Sequence, residues 1–284
     1  MRKLIFLFII TFLVYNTLFA QINIWEDSIP KMKVELYPYI AENNNGSCVI
    51  ICPGGSYFWH GMNNEGHNVA QWFNKHGISA FVLKYRTAKF PAFLLYYRYL
   101  FRGNRYPDAQ NDLQQTISHI KANANEYNID TNKIGLIGFS AGGHLVLSTA
   151  MFFLENFRPL FIASIYPVVT MKQPLVHKRS KRALLGEDQQ NNQALIDSLS
   201  LENHTNLLSC PIFIASCKDD PTVDYRNSLL LDSALTKNNI PHIFHLYEEG
   251  GHGFGISNEK GSTQSRTWKQ SLLYWIKDIK NDNY

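Results

Sequence analysis

A three-layer α/β/α sandwich with a doubly wound, mostly parallel sheet is the fold class that this sequence predicts, on three observations. Short apolar runs recur at Ser47 to Cys52, Ala80 to Leu83, Lys133 to Ile137, Phe161 to Tyr166 and Pro211 to Ser216. Runs of that length without alternation suit strands buried on both faces. Between them lie stretches with helical spacing, such as Asn68 to His76 with Val69, Trp72 and Phe73 on one side. One junction, Gly138-Phe139-Ser140-Ala141-Gly142, has glycines where a sharp strand-to-helix turn would otherwise clash. Alternating strands and helices predict a parallel sheet covered on both faces, with function at the carboxyl ends of the strands.

The elements follow in order. Residues 1–20 carry Arg2 and Lys3, an apolar core from Leu4 to Val14, a polar break at Asn16-Thr17 and a small residue at Ala20. This is a secretory leader layout, with an uncleaved anchor as the alternative, and it predicts an exported protein, periplasmic or extracellular. No later segment is apolar enough for a membrane span. Residues 21–284 then read as one domain. Lys33 to Tyr37 alternates and predicts an edge strand, and Pro107-Asp108 opens a helix running to about Tyr127. Later helices are expected to about Leu154, from Tyr225 to Lys237 and from about Gln264, with a strand at His242 to Leu246. Two segments read as small lid-like insertions. Lys89 to Arg105 holds Phe90, Phe93, Tyr96, Tyr97, Tyr99 and Phe101 with four bases and no acid. It predicts a lid, a sugar-stacking surface, a membrane-touching helix or an ordinary packed helix. Met171 to Asn206 is polar, and its basic run His177 to Arg182 reads as a solvated loop.

Composition excludes several classes. With 284 residues, 45% apolar and 18% charged, the chain is neither disordered nor fibrous. Its formal charge of +4 falls to +2 once Arg2 and Lys3 are removed with the leader. No basic stripe tracks a helix face, so nucleic acid is not an expected partner. Cys48 and Cys52 share a strand and stand too far apart to bond. With Cys210 and Cys217 they read as buried free thiols, and none has metal-site or redox spacing.

The chemistry is expected at Ser140. A serine hydroxyl is a weak nucleophile until an imidazole takes its proton, and the imidazole needs a carboxylate to fix its tautomer. Downstream, in the order serine, acid, histidine, Asp220 follows the strand Pro211 to Ser216. His252 follows the next strand within Gly250-Gly251-His252-Gly253-Phe254-Gly255. Asp219 and Asp224 read as loop supports, and His144 as a structural hydrogen-bonding group. After the strand ending at Cys52, the backbone N–H groups of Gly55 and Ser56, with that of Ala141, are the expected oxyanion hole. This cycle needs neither metal nor organic cofactor.

These residues resemble the α/β-hydrolases of the acetylxylan esterase and feruloyl-esterase-like group. The likeness rests on the motifs at 52–57, 83–86, 106–110, 138–144, 219–223 and 250–255. It departs where Ser56 replaces a third glycine and where Asp224 replaces a proline. The resemblance implies an exported serine esterase acting on acetylated or feruloylated plant polysaccharides or their oligomers. A serine peptidase or lipase-like esterase of the same fold, and a non-catalytic glycan-binding relative, are the alternatives.

Overall fold

A computed structural model of the chain describes residues 21–26, 32–95 and 103–281. The leader read at 1–20 and the aromatic residues Tyr96, Tyr97, Tyr99 and Phe101 lie outside the described residues. The strands are β1 (Ile22–Asn23), β2 (Glu35–Tyr39), β3 (Cys48–Cys52), β4 (Ser79–Lys84), β5 (Ile134–Phe139), β6 (Ile162–Ile165), β7 (Ile212–Cys217) and β8 (His242–Tyr247). They form one eight-stranded sheet in the order β1-β2-β4-β3-β5-β6-β7-β8. β1 and β2 pair antiparallel, as do β2 and β4; every pair from β4 to β8 is parallel.

The uninterrupted apolar runs are explained by burial on both sides. Every residue of β3, β5, β6 and β7 is buried. Along β3, Cys48, Ile50 and Cys52 face one layer, while Val49 and Ile51 face the other, as the two-residue period of a strand requires. The first layer is covered by α3 (Asp108–Ala122), α4 (Ala141–Phe152) and α7 (Arg226–Lys237), which contribute Leu113, Ile117, Leu145, Val146, Leu231 and Leu235. The second is covered by α1 (Asn68–Asn74) and α8 (Trp268–Asn281) through Val69, Phe73, Trp268, Leu272 and Ile276. All four cysteines are free and buried. Burial pushes the Cys210 and Cys217 thiols up to about 12, so neither is a ready nucleophile.

Three expectations are corrected. β2 is one strand in from the edge, because β1 pairs with Glu35 and Leu36. The helix after Pro107 stops at Ala122 rather than near Tyr127. Asn123 donates its N–H back to His119 and Ala124 donates to Lys121, and Ile129 returns its N–H to Ala124 across a positive φ at Asn128. The basic run is helical, not a solvated loop: it forms α5 (Lys178–Leu185), with Ser180 and Arg182 to Leu185 buried. The Arg182 guanidinium lies 4.9 Å from the Phe58 ring centroid, which repays part of its desolvation. The other insertion contains α2 (Lys89–Leu95), and a short α6 (Gln193–Ser198) follows α5.

One ion-pair cluster fixes the first layer to the sheet. Arg86, just past β4, reaches Asp112 of α3 through Nε at 2.9 and 3.0 Å and Asp108 through a terminal nitrogen at 3.2 Å. Trp25 Nε1 donates to the same Asp112 carboxylate at 2.8 Å. Two of the segments that carry the resemblance, 83–86 and 106–110, thus meet at a structural pair. No helix among the described residues is long and apolar enough to cross a membrane.

Candidate active site

Ser140 stands between β5 and α4 with φ +53° and ψ −116°, a conformation that a non-glycine residue adopts only when its surroundings impose it. The neighbours leave no alternative. A Cβ on Gly138 would lie 2.1 Å from the Gly142 carbonyl oxygen, and one on Gly142 would lie 2.0 Å from that of Cys52. Ser140 donates its N–H to Ile165 at 2.9 Å, and its carbonyl accepts from Gly143, His144 and Val168. The hydroxyl is therefore aimed by backbone on both sides.

His252 lies on the loop after β8, and its Nε2 is 2.9 Å from Ser140 Oγ. Its Nδ1 is 2.6 Å from Asp220 Oδ2, on the loop after β7. A carboxylate accepts, so Nδ1 carries the proton and Nε2 is left to accept from the serine hydroxyl. The three residues picked out from chain order are thus in one hydrogen-bonded line. Asp219 accepts the N–H groups of Gly250 and Gly251 at 3.1 and 2.8 Å, and so holds the histidine loop from below. Asp224 instead pairs with Arg226. His144 is enclosed between the Tyr57 hydroxyl and the Leu199 carbonyl, both at 3.0 Å, and burial lowers its pKa to about 4.

The glycine-rich loop after β3 crosses directly over the serine. A Cβ on Gly54 would lie 2.8 Å from the Phe139 carbonyl oxygen and 3.0 Å from Ser140 Cβ. Gly55, Ser56 and Tyr57 then all take positive φ, which explains why a glycine would suit position 56. Among the described residues, nothing accepts from the N–H groups of Gly55, Ser56 or Ala141. Unpaired donors beside a serine hydroxyl are what a developing oxyanion needs.

Several residues here were not legible in the sequence. His177, at the start of α5, helps line a cleft of about 470 Å³ beside Asp220, with Lys218, Pro221, Tyr225 and Arg226. Burial first, then the nearby His252 and Arg179, lower its pKa to about 4. Arg179 lies 5.7 Å from the Trp59 ring centroid and 5.6 Å from that of Phe93, and Trp59 is 38% exposed. The Tyr166 ring packs tilted against the His252 ring, with centroids 4.7 Å apart, and the φ of Tyr166 is +39°. Glu65 is buried beside it. Among the described residues no group of three His, Cys, Asp or Glu side chains could hold a metal ion.

Sheet order, the elbow after β5 and the histidine loop after β8 define an α/β-hydrolase fold. The crystal structure of an acetyl ester-xyloside bifunctional hydrolase from Caldicellulosiruptor lactoaceticus superposes with a TM-score of 0.78 at 31% identity, covering 92% of this chain and 96% of that one. The carboxylesterase Cest-2923 of Lactobacillus plantarum shares the fold at 22% identity and a TM-score of 0.70, over 87% of this chain and 94% of its own. The chain belongs to the BD-FAE family, whose sequence model matches residues 35–235. His252 stands beyond that match.

Curated relatives are longer proteins. An acetylxylan esterase of Xylanibacter ruminicola is 31% identical over 256 residues, 87% of this chain and 48% of its own length. Endo-1,4-beta-xylanase B of Butyrivibrio fibrisolvens is 28% identical over 256 residues, 84% of this chain and 38% of its own. The chain thus spans about half the length, or less, of the curated relatives it matches.

Proposed function

We propose that the protein is an exported serine carboxylic-ester hydrolase that removes acetyl or feruloyl groups from plant polysaccharides or their oligosaccharides. One observation carries the reading: the unbroken line from Asp220 through His252 to Ser140 Oγ at 2.6 and 2.9 Å, beside three N–H groups that have no acceptor among the described residues. Ser140 Oγ attacks the ester carbonyl as its proton passes to His252 Nε2. The carbonyl oxygen takes the negative charge and accepts from the N–H groups of Gly55, Ser56 and Ala141. As the carbonyl re-forms, the sugar oxygen leaves with the proton from Nε2, and the acyl group stays on Ser140. Water then attacks through the same imidazole, and the carboxylic acid departs. Asp220 balances the imidazolium at each stage.

The substrate class draws on the named activities of three relatives, all of which are described by xylan or xyloside chemistry and two of which by acetyl esters. Export draws on the leader layout of residues 1–20. The exposed Trp59, beside the oxyanion loop, offers an aromatic face to a pyranose ring. A second reading, a lipase-like esterase, draws on Phe90 and Leu94 of α2, each 58% exposed. Hydrolysis profiled over acyl lengths separates the two, since a long-chain preference favours the second.

The decisive comparison is acetate release from p-nitrophenyl acetate and acetylated xylan by the wild type and Ser140→Ala. Loss of the nucleophile should lower kcat on the order of 10⁴-fold or more. Equal rates in the two proteins would sink the mechanism.

A further inference from the structure

Glu65 has no part in acyl transfer, yet its carboxylate is buried at the centre of the site, with the residue 7% exposed. It lies in the turn Met62–His67 that leads into α1. Its two oxygens are divided between two different loops. Oε2 accepts the N–H of Gly54 at 2.8 Å, at the root of the loop that carries the Gly55 and Ser56 donors. Oε1 accepts the hydroxyl of Tyr166 at 2.8 Å, and that same hydroxyl oxygen accepts the N–H of Gly255 at 3.0 Å. The chain from Gly54 to Gly255 thus joins the oxyanion loop to the histidine loop through one carboxylate and one phenol. The residue before Glu65 adds a parallel tie: Asn64 Nδ2 donates to the carbonyls of Gly253 and Phe254 at 2.8 and 3.1 Å.

Keeping a carboxylate there is unfavourable unless it does something. Among the described residues Glu65 has no ion-pair partner, and burial raises its pKa. A desolvated carboxylate without an ion-pair partner is unfavourable there relative to an apolar side chain of that size. What it gives in return is geometry, because its two oxygens accept from two different loops at once, at 2.8 Å each. The fit around it is also tight: a Cβ on Gly61 would lie 2.8 Å from Oε2.

We propose that Glu65 is a positioning residue that sets the register between the oxyanion loop and the loop bearing His252. The role rests on the reading of Ser140, His252 and the N–H groups given above, but the coupling of the two loops does not depend on that reading. Oxyanion donors and the imidazole must face the same carbonyl from different sides, and misplacement by about 1 Å lowers rates about a hundredfold. A single group bonded to both loops fixes that separation directly.

Three variants separate this role from general support. Glu65→Ala removes both arms. Glu65→Gln keeps the volume and one acceptor for the Gly54 N–H. Tyr166→Phe leaves the Gly54 arm and cuts only the arm to Gly255. Amide hydrogen exchange should quicken about ten- to a hundredfold at both 53–57 and 253–256 in Glu65→Ala, and at 253–256 alone in Tyr166→Phe. Glu65→Gln should restore much of the protection at 53–57. In ester hydrolysis, Glu65→Ala should lower kcat about a hundredfold with KM within a few-fold, and Glu65→Gln should recover part of the loss. Exchange that rises evenly over the whole sheet, unchanged exchange in both loops, or a loss carried by KM overturns the proposal. Should Glu65→Ala fail to fold, Glu65→Gln and Tyr166→Phe carry the same comparison. A wild type that hydrolyses no ester overturns the function proposed above, while the exchange pattern still decides the role of Glu65.

Discussion

Asp220 holds His252 with one carboxylate oxygen only: Oδ2 lies 2.6 Å from Nδ1, while Oδ1 receives the N–H groups of Thr222 and Val223 at 2.8 and 2.9 Å. The side chain has no exposed surface, so it cannot turn without leaving two backbone donors unpaired. In Asp220→Asn the amide oxygen should stay with those donors, which leaves the NH₂ group facing Nδ1. The imidazole proton must then move to Nε2, where it blocks acceptance from Ser140. We expect kcat to fall on the order of 10⁴-fold, as for loss of tautomer control in such triads, with the melting temperature nearly unchanged. An asparagine variant within tenfold of the wild type would refute the assignment.

The elbow makes a purely steric prediction. A Cβ at Gly142 would sit 2.0 Å from the Cys52 carbonyl oxygen, which belongs to a buried central strand and has no rotamer to change. Gly142→Ala must therefore part α4 from β3, and we expect insoluble protein or a melting temperature lower by ten degrees or more. Gly251→Ala is the control. Its Cβ would meet nothing nearer than Pro221 Cδ at 4.0 Å, so only the left-handed backbone at φ +62° resists it, at about 1 kcal/mol. Thermal melts of the two variants check the contrast, and comparable losses would show that sterics at the elbow are not what fixes Ser140.

The central sheet was legible because burial on both faces writes itself as runs such as Val49 to Cys52 or Ile212 to Cys217. Ser140, Asp220 and His252 were legible because each must follow a strand in a fixed order, and glycine marks two of the three turns. Glu65 was not, since Met62-Asn63-Asn64-Glu65-Gly66-His67 reads as a polar surface turn. Its burial is created by Tyr166 and Gly255, both far away in sequence. The basic run misled for a related reason. Arg182 is buried against the rings of Phe58 and Phe93, and no local pattern announces a partner about ninety residues upstream. His177 was missed with it, because a helix placed over Asp220 is a tertiary fact.

Trp59 and Arg179 should govern substrate rather than chemistry. The indole adjoins the oxyanion loop, since a Cβ on Gly55 would come within 2.9 Å of Trp59 Cδ1, and Arg179 flanks the ring. Neither touches Ser140 or His252 by a hydrogen bond. In Trp59→Ala, KM for acetylated xylo-oligosaccharides should rise about tenfold, the worth of one lost sugar-aromatic contact of about 1 kcal/mol or slightly more. For p-nitrophenyl acetate, which has no sugar to stack, kcat/KM should stay within a few-fold. Equal losses on both substrates would place Trp59 in support of the loop instead of in the alcohol subsite.

Stability should fall in acid because three histidines, one fully buried and two partly, are desolvated in their neutral form. Desolvation lowers the pKa values of His60, His144 and His177 from 6.5 to about 4. Above pH 6.5 neither the folded nor the unfolded chain protonates them, and their neutral burial carries no penalty. Between pH 6.5 and about 4 the unfolded chain takes up protons that the folded one refuses, so the unfolding free energy drops as pH falls. Each histidine adds a slope of about 1 kcal/mol per pH unit across that window. Glu65 and Asp112 act in the opposite sense, because burial raises their pKa values and the folded state then binds protons more readily. With three histidines on one side and two carboxyls, one of them held by Arg86, on the other, the histidines should prevail. Urea unfolding at pH 7.5, 5.5 and 4.5 measures the balance, and a stability that stays level or rises toward pH 4.5 would show that the carboxyls win. His144→Gln should be less stable than the wild type at pH 7.5 yet lose less on acidification, since it removes one of the three groups that resist protonation.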